Sequence, residues 1–436
     1  MADFYDAKAV EESFYKIWEQ RGYFEIDGNK DIQQKGKNFC IMMPPPNVTG
    51  VLHIGHSLTF TLQDIMTRYK RMDGYRTLWQ PGLDHAGIAT QNVVERELLA
   101  QGIKKEAIGR EEFLKHVWHW KEQSGGQIVK QMKRLGVTPA WSRQRFTMDE
   151  GLKNAVRKAF VNLYDAGLIV RGNYMVNWCT HDGALSDVEV EHKENKGKLY
   201  HLRYYFADEQ DKFIVVATTR PETYFGDTAV MVNPADERYK NLIGKKVVLP
   251  LIGREIEIIA DEYVDMSFGT GAVKVTPAHD TNDYEVGKRH ELEFITVFDE
   301  KGILNEQCGK FRGLERLAAR DQIVAELERL GFIEKIEDYE NQVGYCYRCK
   351  NVVEPYISQQ WFVRADIAKE AISKVNSGEA EFFPKHWINS FNAWMRELKD
   401  WCISRQLWWG HRIPVFYCDC GHQWADERES PDVCPK

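Results

Sequence analysis

Three consecutive prolines, Pro44, Pro45 and Pro46, follow the apolar run "NFCIMM" and precede "NVTGVLHIGHS". No other stretch constrains the fold as much. Proline has no amide hydrogen and a fixed φ, so a strand built on the apolar run must stop there. Beyond the turn, Leu58, Leu62, Ile65, Met66 and Tyr69 repeat at helical spacing up to Gly74. "YRTLWQPGLDHAG" then reads as a second strand ending at Asp84 and His85. Strand, rigid turn, helix and strand within the first 90 residues predict an α/β unit with a parallel sheet, whose ligands sit at the carboxyl ends of the strands.

Upstream, Val10, Phe14, Ile17 and Trp18 share one face of an expected packing helix that Gly22 ends. Residues 91–170 read as helical, with "SGGQ" at 124–127 the clearest break. From Asp187 to Phe298 short strand-like pieces alternate with Gly, Asn, Asp and Pro, the pattern of a β-rich barrel or sandwich. Leu317, Ile323, Val324, Leu327 and Leu330 predict a further helix capped by Gly331. The expected division is an α/β domain with connecting helices over 1–186, an inserted β-rich domain over 187–340, and a cysteine knuckle with a return to the α/β domain over 341–436.

With 43% hydrophobic and 28% charged residues the chain has globular composition. Its net charge of -7 neither requires nor excludes a nucleic acid, because local basic faces can meet phosphates on an acidic protein. No apolar run approaches the roughly 18 residues of a membrane span. The acidic start is unlike a leader peptide, and nine clustered cysteines suit thiols and metal rather than disulfides. A cytoplasmic, monomeric protein with no membrane partner is expected.

His53 and His56 stand at the start of the helix behind the proline turn. Two imidazole donors there suit stabilisation of charge on a phosphate, and the same pair also suits simple helix capping. Asp84 at a strand end fits an ammonium ligand or an ordinary turn.

"PPPNVTGVLHIGHS" resembles the HIGH signature of the class I aminoacyl-tRNA synthetases. "GLDHAGIATQ", "ATTRPETYFGDTAV", "GTGAVKVTPAHDTNDYEVGKRH" and "DWCISRQLWWGHRIPV" extend the resemblance over essentially the whole chain, in wording similar to valine-specific members. It implies a Rossmann-like nucleotide-binding domain interrupted by an inserted β-barrel editing domain. It implies that Pro44, Asn47 and Asp84 form the amino-acid pocket and that His53 and His56 act on ATP, used with Mg²⁺ to activate valine for transfer to tRNA(Val). In the insert, Arg220, Thr223, Lys274, Thr276, Asp280 and Asp283 match the family's hydrolytic editing site, which would clear mischarged Thr-tRNA(Val) with an oriented water. Arg220 suits the tRNA end, and the roles of the two acids are not separable from sequence.

Two Zn²⁺ sites are expected. Cys346 and Cys349 have knuckle spacing, and the family's partner strand carries Cys179 with Asp182 where a second cysteine would stand, so either His181 or Asp182 completes the set or the site binds zinc weakly. Cys418, Cys420 and Cys434 form a second set whose fourth ligand is expected beyond residue 436. Cys40, Cys308 and Cys402 read as small core residues. Arg405 in the tryptophan-rich stretch is a candidate nucleotide or tRNA contact, whereas its tryptophans read as packing. The KMSKS element and an anticodon-binding domain are not in the sequence, so the expectation is the amino-terminal half of a synthetase without full aminoacylation. A freestanding editing deacylase and a non-enzymatic tRNA-binding module are the rival readings.

Overall fold

The computed structural model describes residues 6–26, 36–209, 211–267 and 269–436. They form two compact units, one made of the described residues up to 166 together with 407–436 and one made of those between 167 and 406. The expected limits at 187 and 340 both fall inside the second unit.

The first unit opens with α1 (Ala7–Gln20), followed by Gly22 at φ 67°. Its inward residue differs from expectation. Phe14 and Ile17 are exposed, whereas Tyr15 is buried, because its hydroxyl donates to Val137 O (2.8 Å) and accepts from Trp141 Nε1 (2.7 Å). A polar tip with two partners outweighs a purely apolar stripe. Strand β1 (Asn38–Met42) pairs in parallel with β2 (Arg76–Gln80), joined by α2 (Ile54–Met72), as the proline turn predicted. The pairing extends past the prolines through Met43 N to Gln80 O (2.9 Å) and an isolated parallel bridge between Asn47 and Asp84. Strand β3 (Gly82–Leu83) pairs in parallel with β4 (Arg145–Phe146).

Helices α3 (Gly87–Ala100), α4 (Lys105–Arg134) and α5 (Glu150–Asp165) complete this part. The break expected at "SGGQ" is absent, and α4 runs through it, kinking instead at Gly109, which has φ 78°. Gly125 is there for close approach: a Cβ at that position would lie 3.2 Å from Leu83 Cδ1. One face of α4 also fixes the turn after the prolines, with Trp120 Nε1 on Val48 O (2.7 Å), Ser124 Oγ on Gly50 O (2.9 Å) and Gln131 Oε1 accepting from Leu52 N (2.9 Å). The unit closes with a small hairpin of Val415–Tyr417 and Gln423–Ala425. Cys40 is exposed, not core, because burial alternates along β1 and its side chain falls on the open face. Cys308 and Cys402 are buried as expected.

In the second unit β5 (Ile169–Cys179) and β6 (Gly183–Leu185) lead to a long β7 (Val190–Phe206). There follow β8 (Phe213–Thr218), β9 (Ala229–Val232), β10 (Lys246–Val248), β11 (Glu255–Ala260) and β12 (Ala272–Val275). Then come α6 (Thr281–Arg289), α7 (Arg316–Arg329), β13 (Ile333–Cys346), β14 (Val353–Val363), α8 (Lys369–Ser377), α9 (Trp387–Arg396) and β15 (Trp401–Cys402). The β-rich texture expected after residue 187 is present as a mixed sheet in the order β12-β9-β11-β10-β7-β13, with β8 on the other edge of β7. Its ends β8 and β12 lie against each other, so the sheet curls, and no ladder is recorded between them among the described residues. Inside packs an apolar cluster including Leu202, Tyr204, Val216, Val230, Ile258 and Phe298. A separate antiparallel sheet runs β15-β14-β5-β6.

Candidate active sites

At the amino end of α2, His53 is the N-cap. Its Nδ1 accepts from Gly55 N (3.1 Å), while His56 Nδ1 accepts from His53 N (3.2 Å), a reciprocal capping box. A ring nitrogen that accepts an amide hydrogen carries none itself. Each ring therefore carries its proton on Nε2 and presents a donor at a helix N-terminus. Capping and function, alternatives in the sequence, are here one device. The ring centroids are 4.0 Å apart, and burial followed by the nearby His53 ring lowers the pKa of His56. Gly55 is required by this stacking, since a Cβ there would come 2.9 Å from His53 Cε1.

Asp84 lies where the parallel strands end, hydrogen-bonded through its backbone to Pro46 O (2.9 Å) and Val48 N (3.0 Å). Its Oδ1 accepts from Thr147 Oγ1 (3.0 Å) and Ala86 N (3.2 Å), with His85 Nδ1 3.3 Å away. Burial pushes this carboxyl upward, but the bonds from His85, the Ala86 amide and Thr147 outweigh it and hold the pKa below the ordinary value. Pro44 and Asn47 on the opposite lip are exposed. Thr147, which also bonds His85 Nδ1 (2.6 Å), had no signal in the sequence because it arrives from 63 residues downstream of Asp84. Trp409, fully buried, donates to His85 O (2.9 Å), so the tryptophans of the "LWWGH" stretch do pack. Arg405 is engaged by Glu189 (2.7 Å) and by the carbonyls of Cys402 and Ser404.

In the second unit the six expected editing residues fall into two bonded groups, Arg220 with Thr223, and Lys274, Thr276 and Asp280 with Asp283, joined through the backbone of His279. Thr223 Oγ1 donates to Arg220 O (2.9 Å), and Arg220 donates to His279 O (2.7 Å) and to Glu354. The guanidinium expected to meet the tRNA end is thus largely held by protein partners. Glu354, 1% exposed, also accepts from Arg316 Nε (2.7 Å), and Glu222, two residues beyond Arg220 in sequence, pairs with Arg320 (2.7 Å). One residue beyond His279, Asp280 caps α6, its Oδ1 accepting from Asn282 N (2.8 Å) and Asp283 N (3.1 Å). Asp283 Oδ2 accepts from Thr276 N (2.8 Å), and the Thr276 hydroxyl accepts from Lys274 Nζ. The two acids, inseparable in sequence, therefore differ: one is used as a cap, the other is buried. Burial, with the Asp280 and Asp227 charges, raises the Asp283 pKa to about 7 against the opposing pull of Lys274 and the Thr276 amide.

Cys179, Asp182, Cys346 and Cys349 converge from two adjoining hairpin turns, with donor atoms all within 4.8 Å of one another. Cys179 and Cys349 sulfurs are 3.3 Å apart, and Cys346 Sγ lies 3.1 Å from Asp182 Oδ2. Lys350 at φ 64° turns the chain behind Cys349. His181 Nδ1 contacts Asp182 Oδ1 (3.1 Å), so it is Asp182 that faces the thiols and His181 that orients the carboxylate. Three thiols and a buried carboxylate at this spacing fit a tetrahedral cation, whose ligands stand about 3.5 to 4 Å apart. Cys418, Cys420 and Cys434 also cluster within 4.8 Å.

Residues 13–433 match the model of the tRNA synthetases class I (I, L, M and V). The chain belongs to this family. It is 73% identical over 429 residues to a valine–tRNA ligase of Campylobacter jejuni (strain RM1221), covering 98% of this chain and 49% of that protein. It is 71% identical to the Wolinella succinogenes valine–tRNA ligase over 99% of this chain and 48% of that one, and 65% identical to the Helicobacter pylori (strain ATCC 700392 / 26695) valine–tRNA ligase over 99% and 49%. The chain therefore spans about half the length of the curated relatives it matches. Among the described residues no helix is long and apolar enough to cross a membrane.

Proposed function

We propose that this chain carries the HIGH half of a valine-activating site and the proofreading site of a valine–tRNA ligase. In the whole protein the valine carboxylate attacks the α-phosphate of ATP, supplied with Mg²⁺, giving valyl-adenylate and pyrophosphate, and the valyl group then passes to the terminal ribose of tRNA(Val). The observation that carries this reading is the pair of Nε2–H donors fixed by reciprocal capping at the start of α2, in the same unit as Asp84 at the strand ends. Asp84 Oδ2, which has no hydrogen bond among the described residues, takes the valine ammonium, with Pro44 and Asn47 beside it. His53 and His56 donate to the phosphate oxygens as charge develops.

A pocket shaped for valine holds threonine nearly as well, and valine activation is itself a standard example of that limit. The second unit answers it by hydrolysing Thr-tRNA(Val). Asp283, Lys274 and Thr276 read the additional hydroxyl and orient water, while Arg220 and Thr223 brace the loop carrying Asp280. Cys179, Asp182, Cys346 and Cys349 would hold Zn²⁺, which would cross-link the two turns of the knuckle, and Cys418, Cys420 and Cys434 would hold a second ion.

The test is valine-dependent ATP–pyrophosphate exchange in a chain of the relatives' full length. Asp84→Asn and His56→Ala should each lower exchange by roughly 100-fold while hydrolysis of Thr-tRNA(Val) persists. The 436 residues alone should hydrolyse Thr-tRNA(Val) at best and show little exchange. Hydrolysis without any exchange in the full-length protein would replace this reading with a freestanding deacylase.

A further inference from the structure

Asp227 ends the turn Pro221–Gly226 and leads into β9, and it is not among the residues that the family resemblance assigns. Its carboxylate is completely buried. Oδ2 accepts from Tyr204 Oη (2.7 Å), itself buried in the curled-sheet core. Oδ1 accepts from Thr276 Oγ1 (2.6 Å) and faces Lys274 Nζ at 3.4 Å. Lys274 also donates to Thr276 Oγ1, and Thr276 N donates to Asp283. A continuous chain of bonds thus runs from the apolar core, through Asp227, to the three side chains proposed to hydrolyse the ester.

We infer that Asp227 is the positioning residue of the hydrolytic site, fixing the Lys274 ammonium and the Thr276 hydroxyl while touching no substrate itself. The inference rests on the proofreading reading given above. Three features carry it. Asp227 is the one carboxylate within ion-pair distance of Lys274 among the described residues, and a buried ammonium without a counter-charge reorients or loses its proton. Lys274 has three N–H donors, two of them directed to Asp227 and Thr276, so its remaining donor has a fixed direction. The Thr276 hydroxyl has its one hydrogen committed to Asp227, which orients its lone pairs toward Lys274. Asp227 also sits close enough to Asp283 to raise the pKa of that carboxyl, which links it to the proton inventory of the site.

The experiment uses a full-length protein of the relatives' size and compares Lys274→Met, Asp227→Asn, the double variant, and Tyr204→Phe. Hydrolysis of Thr-tRNA(Val) is measured across pH, with valine-dependent exchange and the unfolding midpoint as controls on folding. Lys274→Met should reduce the hydrolytic kcat by roughly 100-fold, and Asp227→Asn should do nearly the same with a shifted pH profile. The double variant should lose far less than the product of the two single losses, because Asp227 acts largely through Lys274 and otherwise only through Thr276. Tyr204→Phe, which leaves the charge pair in place, should stay within a few-fold of the parent. Hydrolysis by Asp227→Asn at the parental rate and pH profile, or losses that multiply in the double variant, would overturn the inference. If Asp227→Asn does not fold, its unfolding midpoint should recover in the Lys274→Met background, and failure to recover sinks the coupling. Should Lys274→Met itself hydrolyse normally, the proofreading assignment falls and takes this role with it, an outcome recognisably different from a silent Asp227→Asn.

Discussion

At the scale of single residues, His53 and His56 cap the start of one helix for each other, and Gly55 leaves the room between them. His53, Gly55 and His56 are neighbours in the chain, so their interplay was readable from spacing alone. Thr147 and Asp227 act on groups 63 and 47 residues away, a distance over which a single sequence carries no signal. The same buried chemistry gives a pH test. Asp283 titrates near pH 7 when folded and near its ordinary value of about 4 when unfolded. Between these values the folded state binds the additional proton, so stability falls as pH rises from about 4 through about 7 and is level above that. The span corresponds to a few kcal/mol. Asp283→Asn should remove it: denaturant unfolding at pH 5 and pH 8 should differ less in the variant than in the parent. An unchanged difference would show that Asp283 is not the group responsible.

At the scale of elements, what was legible was local and what was not was long-range. The strand, proline turn and α2 followed from amide chemistry and period, and α7 ended at Gly331 as its pattern required. The "SGGQ" glycines misled because glycine marks either a break or a close approach, and only the position of Leu83 decides between them. The knuckle lay between these cases. Its "CYRC" half was plain, but the choice between His181 and Asp182 depended on β5 meeting β14 in the register that sets Cys179 opposite Val353. That register predicts a metal-dependent element. A zinc chelator should lower the unfolding midpoint of the parent, and Asp182→Ala should abolish both the bound zinc and the chelator effect. Asp182→Cys, restoring four thiolates, should hold zinc more tightly and resist the chelator. Metal analysis of the purified variants checks this, and equal zinc content in parent and Asp182→Ala would exclude the carboxylate as a ligand.

At the scale of the whole chain, composition predicted a globular protein and the motif order predicted an insertion. Neither placed the division at residues 167 and 406, which is set by β5 pairing with β14 across the intervening β-rich segment. Each unit carries its own apolar clusters, with Phe113, Val117 and Trp409 in one of those of the first and Val216, Val230 and Ile258 in one of those of the second. Ile258 and Phe113 are both fully buried, so truncation to alanine leaves a cavity worth about 3 kcal/mol in either case. For units of this size that is a shift of roughly 10 °C in melting temperature. Ile258→Ala should therefore displace one calorimetric transition together with the loss of hydrolytic activity on heating. Phe113→Ala should displace a different transition and leave the first where it was. If both substitutions moved one common transition by the same amount, the two cores would unfold as a single cooperative body, and neither unit would keep its stability independently of the other.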